Sequence, residues 1–456
     1  MSDTHPLNAR TEALFRKFVR KDAEPALRKL LSMHRTEDIA AVMAHMTLDE
    51  QRRLYRSVDD RDRASDLLAH LPEDAVLAIT HDLTEEVFAD LLDRMDPDDA
   101  TDVVGLLPED KRARIIASME GDEAAEVQEL LAWPSDTAGG LMSTAMFTMP
   151  DTASCGAAVR ELQRVEQELS YVYYVYVVDR DGHLVGVTSL RALVVRPPHT
   201  PLAQIMLRSP ISVRPETDQE EVARYFERYN LMAIPVVDAA NALLGIVTVD
   251  DVVDVIAEEA AEDMYRMAGL AESHDPGESL GLVDEVRRRA GWLVVTLVGG
   301  VFGAELIAMF EEPLARLPVV AGFIPVILGM GGNVGLQSAT IAVRGIATGG
   351  VQMSGGLAFA LKEARTGLAL GLIYGGLLAV FGLLRFTDAP AVGIAVGLSA
   401  LAAMSGSSLV GAGVPLLLRR FGFDPAIATG PLVTLTVDLL GIMVYLNIVL
   451  LLLPAP

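Results

Sequence analysis

The sequence predicts a multidomain membrane protein in four parts: an acidic N-terminal α-solenoid, an α/β pair of tandem repeats, an acidic connecting helix and a five-helix transmembrane domain. Three observations predict it. Charge divides sharply near residue 287, a helix-start signal recurs every twelve residues, and five apolar runs approach bilayer length.

The chain has 456 residues, with 62 Asp and Glu against 37 Lys and Arg. From Arg287 onward there are ten basic and seven acidic residues, which leaves 27 basic and 55 acidic residues before that point. The first part is therefore a water-soluble polyanion and the second an apolar block. A surface this acidic attracts cations. It excludes nucleic acid as a partner, because neutralising phosphates takes basic groups. Solubility alone is the plainer reading of the same charge. The single Cys155 allows no intrachain disulfide, which suits a reducing compartment. The start, Met1-Ser2-Asp3-Thr4-His5-Pro6, lacks the basic and apolar regions of a signal peptide, so the N-terminal domains are expected in the cytoplasm.

Residues 1–136 read as the helical domain. Leu71-Pro72-Glu73-Asp74, Leu83-Thr84-Glu85-Glu86, Met95-Asp96-Pro97-Asp98, Leu107-Pro108-Glu109-Asp110 and Met119-Glu120-Gly121-Asp122 stand twelve apart. Each sets an apolar residue before a cap and first-turn carboxylates, which favour the positive end of a helix. Short helices at fixed spacing predict a solenoid.

Residues 137–256 carry a duplication. Val177-Val178-Asp179 and Gly186-Val187 recur 59 positions later as Val236-Val237-Asp238 and Gly245-Ile246. The β-branched runs Tyr171 to Val178 and Ala233 to Val237 predict buried strands. This part resembles a tandem pair of CBS domains, a regulatory module. The CBS pattern of Gly, two apolar residues, Thr or Ser, then an acid matches Gly245, Thr248 and Asp251. In the first copy Gly186 and Ser189 are present, but Ala192 stands in place of the acid. A nucleotide such as ATP is thus expected, if anywhere, at Thr248 and Asp251.

Residues 250–290 form the connecting region. Asp250 to Gly269 reads as one helix whose carboxylates Asp251, Asp254, Glu258, Glu259, Glu262 and Asp263 fall mostly three or four apart. Like charges at that spacing destabilise an isolated helix, so a compensating cation is expected. A solvated charged face is the alternative.

Residues 291–456 supply the transmembrane domain. The apolar runs are roughly 291–310, 319–343, 366–385, 390–418 and 426–453, near the ~20 residues that cross a bilayer. The Gly-rich fourth run is long enough to tilt or break. With the N-terminus inside, the cytoplasmic ends hold Arg287, Arg288, Arg289, Arg344, Lys362, Arg365, Arg419 and Arg420. Only Arg316 and Arg385 fall outside, so an odd number of spans obeys the positive-inside rule.

Asp438 lies deep in the last span, where a charge costs at least ~2.5 kcal/mol unless it meets water or a partner. Such a carboxylate is an ion or proton site by default; a protonated or helix-paired aspartate is the alternative. In the second span, Asn333 and Gln337 lie one turn apart within the Gly-rich run Gly329 to Ala339. They either line a hydrated pore or hold helices together.

This order of parts resembles the MgtE family of magnesium channels over nearly the whole chain. The Gly-Gly-Asn-x-Gly-x-Gln-Ser-Ala-Thr run of that family appears as Gly331 to Thr340, and its last-span pattern as Gly430 to Asp438. The junction Asp136-Thr137-Ala138-Gly139-Gly140-Leu141-Met142 is similar to the family's entry into its first CBS domain. The resemblance implies a homodimer in a bacterial inner membrane, in contact with lipid, passing Mg²⁺ at Asp438 beside Asn333. It implies cation attraction by Glu311 at the outer mouth. It implies regulatory Mg²⁺ at Asp66, Asp98, Asp102, Asp218, Glu220, Asp251, Asp254, Glu259, Glu262 and Asp263, with the connecting helices as gating plugs.

Other classes are poorly served. A CBS-regulated anion channel would gain little from a pore aspartate. An enzyme lacks a His-Glu-x-x-His pair and a phosphate-binding Gly-Lys-Ser/Thr loop, and no histidine follows Asp275. A sensor without transport has little use for Asp438 in the bilayer. Mn²⁺ and Co²⁺ accept the same oxygen ligands as Mg²⁺, so residue types alone do not choose among them.

Overall fold

The computed structural model describes residues 9–165, 172–270, 282–316, 318–348, 350–351, 355–428 and 430–453. Met1 to Pro6, Tyr171 and positions 271–281 of the connecting region lie outside the described residues. The chain divides into two compact units that meet in sequence at Ala257 and Glu258.

The first unit opens with ten short helices among the described residues. They are α1 (Ala9–Arg20), α2 (Glu24–Leu31), α3 (Thr36–Ala44), α4 (Leu48–Tyr55), α5 (Arg61–Ala69), α6 (Glu73–Thr80), α7 (Glu85–Leu92), α8 (Pro97–Gly105), α9 (Glu109–Ile116) and α10 (Gly121–Leu130). The last five start at 73, 85, 97, 109 and 121, the twelve-residue spacing of the caps. Upstream, α2, α3 and α4 start at 24, 36 and 48 on the same spacing, and a thirteen-residue step leads on to α5 at 61. From α3 onward the main pairings skip one helix: α3 on α5, α4 on α6, α5 on α7, α7 on α9 and α8 on α10. That alternation lets eight or nine residues of helix bury one face, seen in Leu54, Leu68, Phe88, Leu92, Val104 and Ile115. At α4, Thr47 accepts from the Glu50 N–H at 3.4 Å while Glu50 returns the bond to the Thr47 N–H.

The tandem repeats follow. In the first copy β1 (Thr148–Pro150) precedes α11 (Cys155–Arg164), and β2 (Tyr174–Val178) and β3 (Leu184–Ser189) form a hairpin. Next come α12 (Leu190–Val195), α13 (Leu202–Ile205) and β4 (Leu207–Arg208), and the sheet runs β1-β2-β3-β4. In the second, α14 (Gln219–Tyr229) precedes β5 (Ala233–Val237) and β6 (Leu243–Thr248). The strands β5 and β6 repeat β2 and β3 at the 59-residue offset, and both hairpins carry a bulge at the same place, Val177/Val178 and Val236/Val237. The strand expected from Tyr171 begins at Tyr174. The two hairpin turns join edge to edge: the Asn241 side chain donates to the Leu184 carbonyl at 2.7 Å, and His183 bridges Ala242. α15 (Val249–Met267) starts at the end of β6 and runs on through the boundary between the units.

Among the described residues the second unit holds five helical segments long and apolar enough to cross a membrane: Arg289–Ala308, Pro318–Ala347, Gly356–Arg385, Pro390–Arg420 and Pro431–Leu452. They are carried by α16 (Leu282–Ala308), the short α18 (Pro318–Ala321) with α19 (Ile324–Ala347), α20 (Gly356–Arg385), α21 (Pro390–Arg420) and α22 (Pro431–Leu452), while α17 (Glu311–Arg316) lies between the first two spans. The third span starts ten residues earlier than its apolar run, because Lys362, Glu363 and Arg365 lie inside the helix rather than before it. The fourth span is one continuous helix despite Pro415. Its glycines serve contact instead of a break. A Cβ on Gly375 would sit 2.5 Å from the Gly397 carbonyl oxygen, and one on Gly411 only 2.1 Å from that of Gly335. Small residues here let backbones of α19, α20 and α21 touch, which is how helices associate where lipid removes the hydrophobic drive.

Candidate metal sites

In the first unit the start of α8 meets the start of α15. Asp98 and Asp99 occupy the first turn of α8 after Pro97, and Asp251 lies in the first turn of α15 after Thr248. A carboxylate in a first turn lies at the positive end of its helix, where a negative charge is favoured. The Thr248 hydroxyl donates to Asp251 Oδ2 at 2.5 Å.

Burial and neighbouring acids disturb all three carboxylates. Burial and then the Asp98 charge push Asp251 up to about 8, against the pull of the Thr248 hydrogen bond. Burial and then Asp98 and Asp96 push Asp99 up to about 7, with Asp102 adding to the rise and His70 opposing it. Burial also raises Asp98, and its Oδ1 is buried with no hydrogen-bond donor. An orphaned carboxylate oxygen among two further acids fits a hard divalent cation, which takes oxygen ligands. Asp99 was not among the sequence-derived candidates. Its signal was the doubled acid after Pro97, read there as capping.

The remaining sequence candidates of this unit lie apart from that centre or are engaged locally. Asp66 is exposed on α5 with His70 at 3.6 Å, and Asp102 is exposed one turn along α8 from Asp98. Asp218 caps α14 by accepting from the Glu220 N–H at 2.9 Å, and Glu220 pairs with Arg224 at 2.5 Å. Asp254 is exposed on α15. Asp179, Asp181 and His183 also bring donor atoms within 4.8 Å of one another, but Asp179 is there accepting the N–H groups of its own turn.

In the second unit Glu259, Glu262 and Asp263 lie partly buried on α15, and Glu262 pairs with Arg266. Deeper, Asp438 of α22 faces Gly332 of α19: a Cβ on Gly332 would lie 3.9 Å from Asp438 Oδ1. Gly331 and Gly335 pack against Ser407 and Val437, while Asn333 and Gln337 are exposed on this chain. On this run the glycines pack against the neighbouring helices, while Asn333 and Gln337, among the described residues, form no such contact and stand on the exposed face. Glu311 is exposed at the start of α17. Sequence reasoning missed Glu363, a buried carboxyl on α20 that lay in a stretch read as a cytoplasmic flank.

The divalent cation transporter family MgtE matches residues 324–448, its intracellular N domain matches 34–136, and CBS domains match 138–197 and 202–258. The magnesium transporter MgtE of Thermus thermophilus is 39% identical over 331 residues, 73% of each chain. The chain belongs to the MgtE family.

The Bacillus subtilis magnesium transporter MgtE is 31% identical over 411 residues and 90% of each chain, so the likeness to MgtE extends through both units. A solved cytosolic domain of the Mg²⁺ channel MgtE, in complex with ATP, aligns with a TM-score of 0.51 at 31% identity. It covers 54% of this chain and 99% of that one. The sequence-derived architecture of helical domain, CBS pair and five spans is the MgtE architecture.

Proposed function

We propose that this chain carries Mg²⁺ across the bacterial inner membrane as a homodimer, and that cytoplasmic Mg²⁺ closes it by binding its acidic domains. The observation that carries the regulatory half is the meeting of Asp98, Asp99 and Asp251, three carboxylates that burial and the charges of neighbouring acids drive toward protonation. A divalent cation replaces those protons and joins the helical domain to the second CBS copy. As internal Mg²⁺ falls, the ion leaves and repulsion favours the open arrangement, a population shift set by differential ion binding. Asp66, Asp102, Asp218, Glu220, Asp254, Glu259, Glu262 and Asp263 extend the acidic surface that senses the ion.

Transport rests on Asp438 opposite Gly332. The missing side chain at Gly332 leaves room beside the carboxylate for an ion that keeps most of its water, as Mg²⁺ prefers. Asn333 and Gln337 supply amide oxygens on the exposed face, and Glu311 draws cations to the outer mouth. A negative interior then drives entry without chemical fuel. ATP binds near Thr248 and Asp251, where their hydrogen bond sets the acid in place.

The deciding experiment is Mg²⁺ uptake into proteoliposomes holding wild type or Asp438→Asn, with internal Mg²⁺ either near zero or millimolar. Uptake in wild type alone, suppressed by internal Mg²⁺, supports the reading. Equal uptake in both variants would move the ion site, and no uptake in either would remove the transport reading. Competition by Mn²⁺ and Co²⁺ in the same assay settles ion choice.

A further inference from the structure

The entry to the first CBS copy runs against the second copy, beside the acids of the candidate metal site. Ser143 exchanges both main-chain hydrogen bonds with Ile246 of β6, at 2.8 and 2.9 Å. That pairing requires Gly245, since a Cβ there would stand 2.7 Å from the Ser143 carbonyl oxygen. Residues directly opposite in a strand pair share a face, and so do residues two apart along one strand. Ser143 is thereby set on the same face of β6 as Thr248, whose hydroxyl holds Asp251.

Ser143 is buried, at 5% exposure. Its Oγ accepts the Ala145 N–H at 3.4 Å, which leaves the hydroxyl proton free to donate. That proton goes to the Asp98 carboxylate, which also takes the N–H groups of Asp98 and Asp99 in its own first turn. These donors grip one oxygen, because Oδ1 is buried with no partner among the described residues. Of the three, only Ser143 comes from outside α8. Two hydroxyls of one strand pair thus hold two acids of the site, Ser143 holding Asp98 and Thr248 holding Asp251.

We propose that Ser143 is a positioning residue for the regulatory cation: it fixes one oxygen of Asp98 and so keeps Oδ1 open to the ion. This rests on reading Asp98, Asp99 and Asp251 as a Mg²⁺ site. A carboxylate ligand held by an outer hydrogen bond loses no orientation when the ion arrives, which is how such partners raise metal affinity. The neighbouring hydroxyl supplies a control. Thr144 donates to Glu126 of α10 at 2.5 Å and so clasps the helical domain at a point other than the three acids.

The test is Mg²⁺ titration calorimetry on the full chain in detergent, read at the binding step that Asp98→Asn removes. Ser143→Ala is expected to weaken that step by about 10- to 100-fold, and Ser143→Thr, which restores the hydroxyl, to recover most of it. Thr144→Val should stay within about twofold, as an independent position does. In an Asp98→Asn background, Ser143→Ala should change nothing further. Wild-type affinity in Ser143→Ala, with binding lost in Asp98→Asn, would overturn the proposal and leave the metal site standing. Equal losses in Ser143→Ala and Thr144→Val would overturn it too, because the hydroxyls would then only fasten the domains. Unchanged binding in Asp98→Asn would remove the metal site itself. If Ser143→Thr does not fold, the comparison of Ser143→Ala with Thr144→Val still decides.

Discussion

Arg266, in the last turn of α15, pairs with Asp424 in the loop after α21, 158 residues away, and also with Glu262 one turn earlier in its own helix. Both partners are about two-thirds buried, at 33% and 28% side-chain exposure. Close by, a Cβ on Gly430 would sit 2.6 Å from the Met267 carbonyl oxygen, so the end of α15 is seated against the entry to α22. The connecting helix is therefore fastened to the loop that leads into the Asp438 helix.

Cutting that fastening should weaken closure. Arg266→Ala or Asp424→Asn is expected to raise the internal Mg²⁺ needed for half inhibition by about three- to tenfold, the range for a part-exposed ion pair. The double variant should shift little further, because both remove one interaction. Uptake against a series of internal Mg²⁺ concentrations measures this; strictly additive shifts would show that the two residues act separately.

Mg²⁺ binding should release protons near neutral pH. Asp99 at about 7 and Asp251 at about 8 are each partly protonated there, and a cation displaces those protons. Calorimetry in buffers of differing ionisation enthalpy reads the release directly. It should shrink as pH rises past both values and fall in Asp251→Asn.

The same acids give the ion-free protein a pH-dependent stability of definite sign. Their native values stand above the unfolded carboxylate range, so the native state holds protons that the unfolded chain has lost. Their stabilising share is complete below the ordinary carboxylate range and lost as pH climbs to about 8. Melting temperatures without Mg²⁺ should therefore fall over that window, recover on adding Mg²⁺, and vary less in Asp251→Asn.

The close helix seam predicts a steep packing cost. Gly411→Ala puts a Cβ 2.1 Å from the Gly335 carbonyl oxygen, a clash with backbone that cannot swing aside. A loss of about 1–3 kcal/mol is expected from overpacking. Gly413→Ala, which meets nothing within 4 Å, should be neutral. Thermal unfolding of the two variants in detergent makes the comparison.

Much of the architecture was legible because it is written in repeats and periods. The twelve-residue caps mark helix starts through local chemistry at each N-terminus, and the 59-residue duplication lands β5 and β6 on the register of β2 and β3. The spans follow from run length and from where Lys and Arg fall. Of the candidate site residues, Asp438, Asp98 and Asp251 were visible as residue types out of place in an apolar helix or crowded at a helix start.

What sequence alone determined, then, is what local chemistry determines: caps, strands, spans and the odd carboxylate in lipid. The tertiary structure decided which of the acids converge, since Asp99 differs from its neighbours only in where the fold puts it. It turned Asp218 and Glu220 to capping and ion pairing. It also drew Glu363 inside, although Lys362 and Arg365 beside it read as a flank. The physical reason is that less than one helical turn separates an exposed flank from a buried face, with Lys362 and Arg365 exposed and Glu363 between them buried. Only packing against the Ser338 and Ser408 helices selects between them.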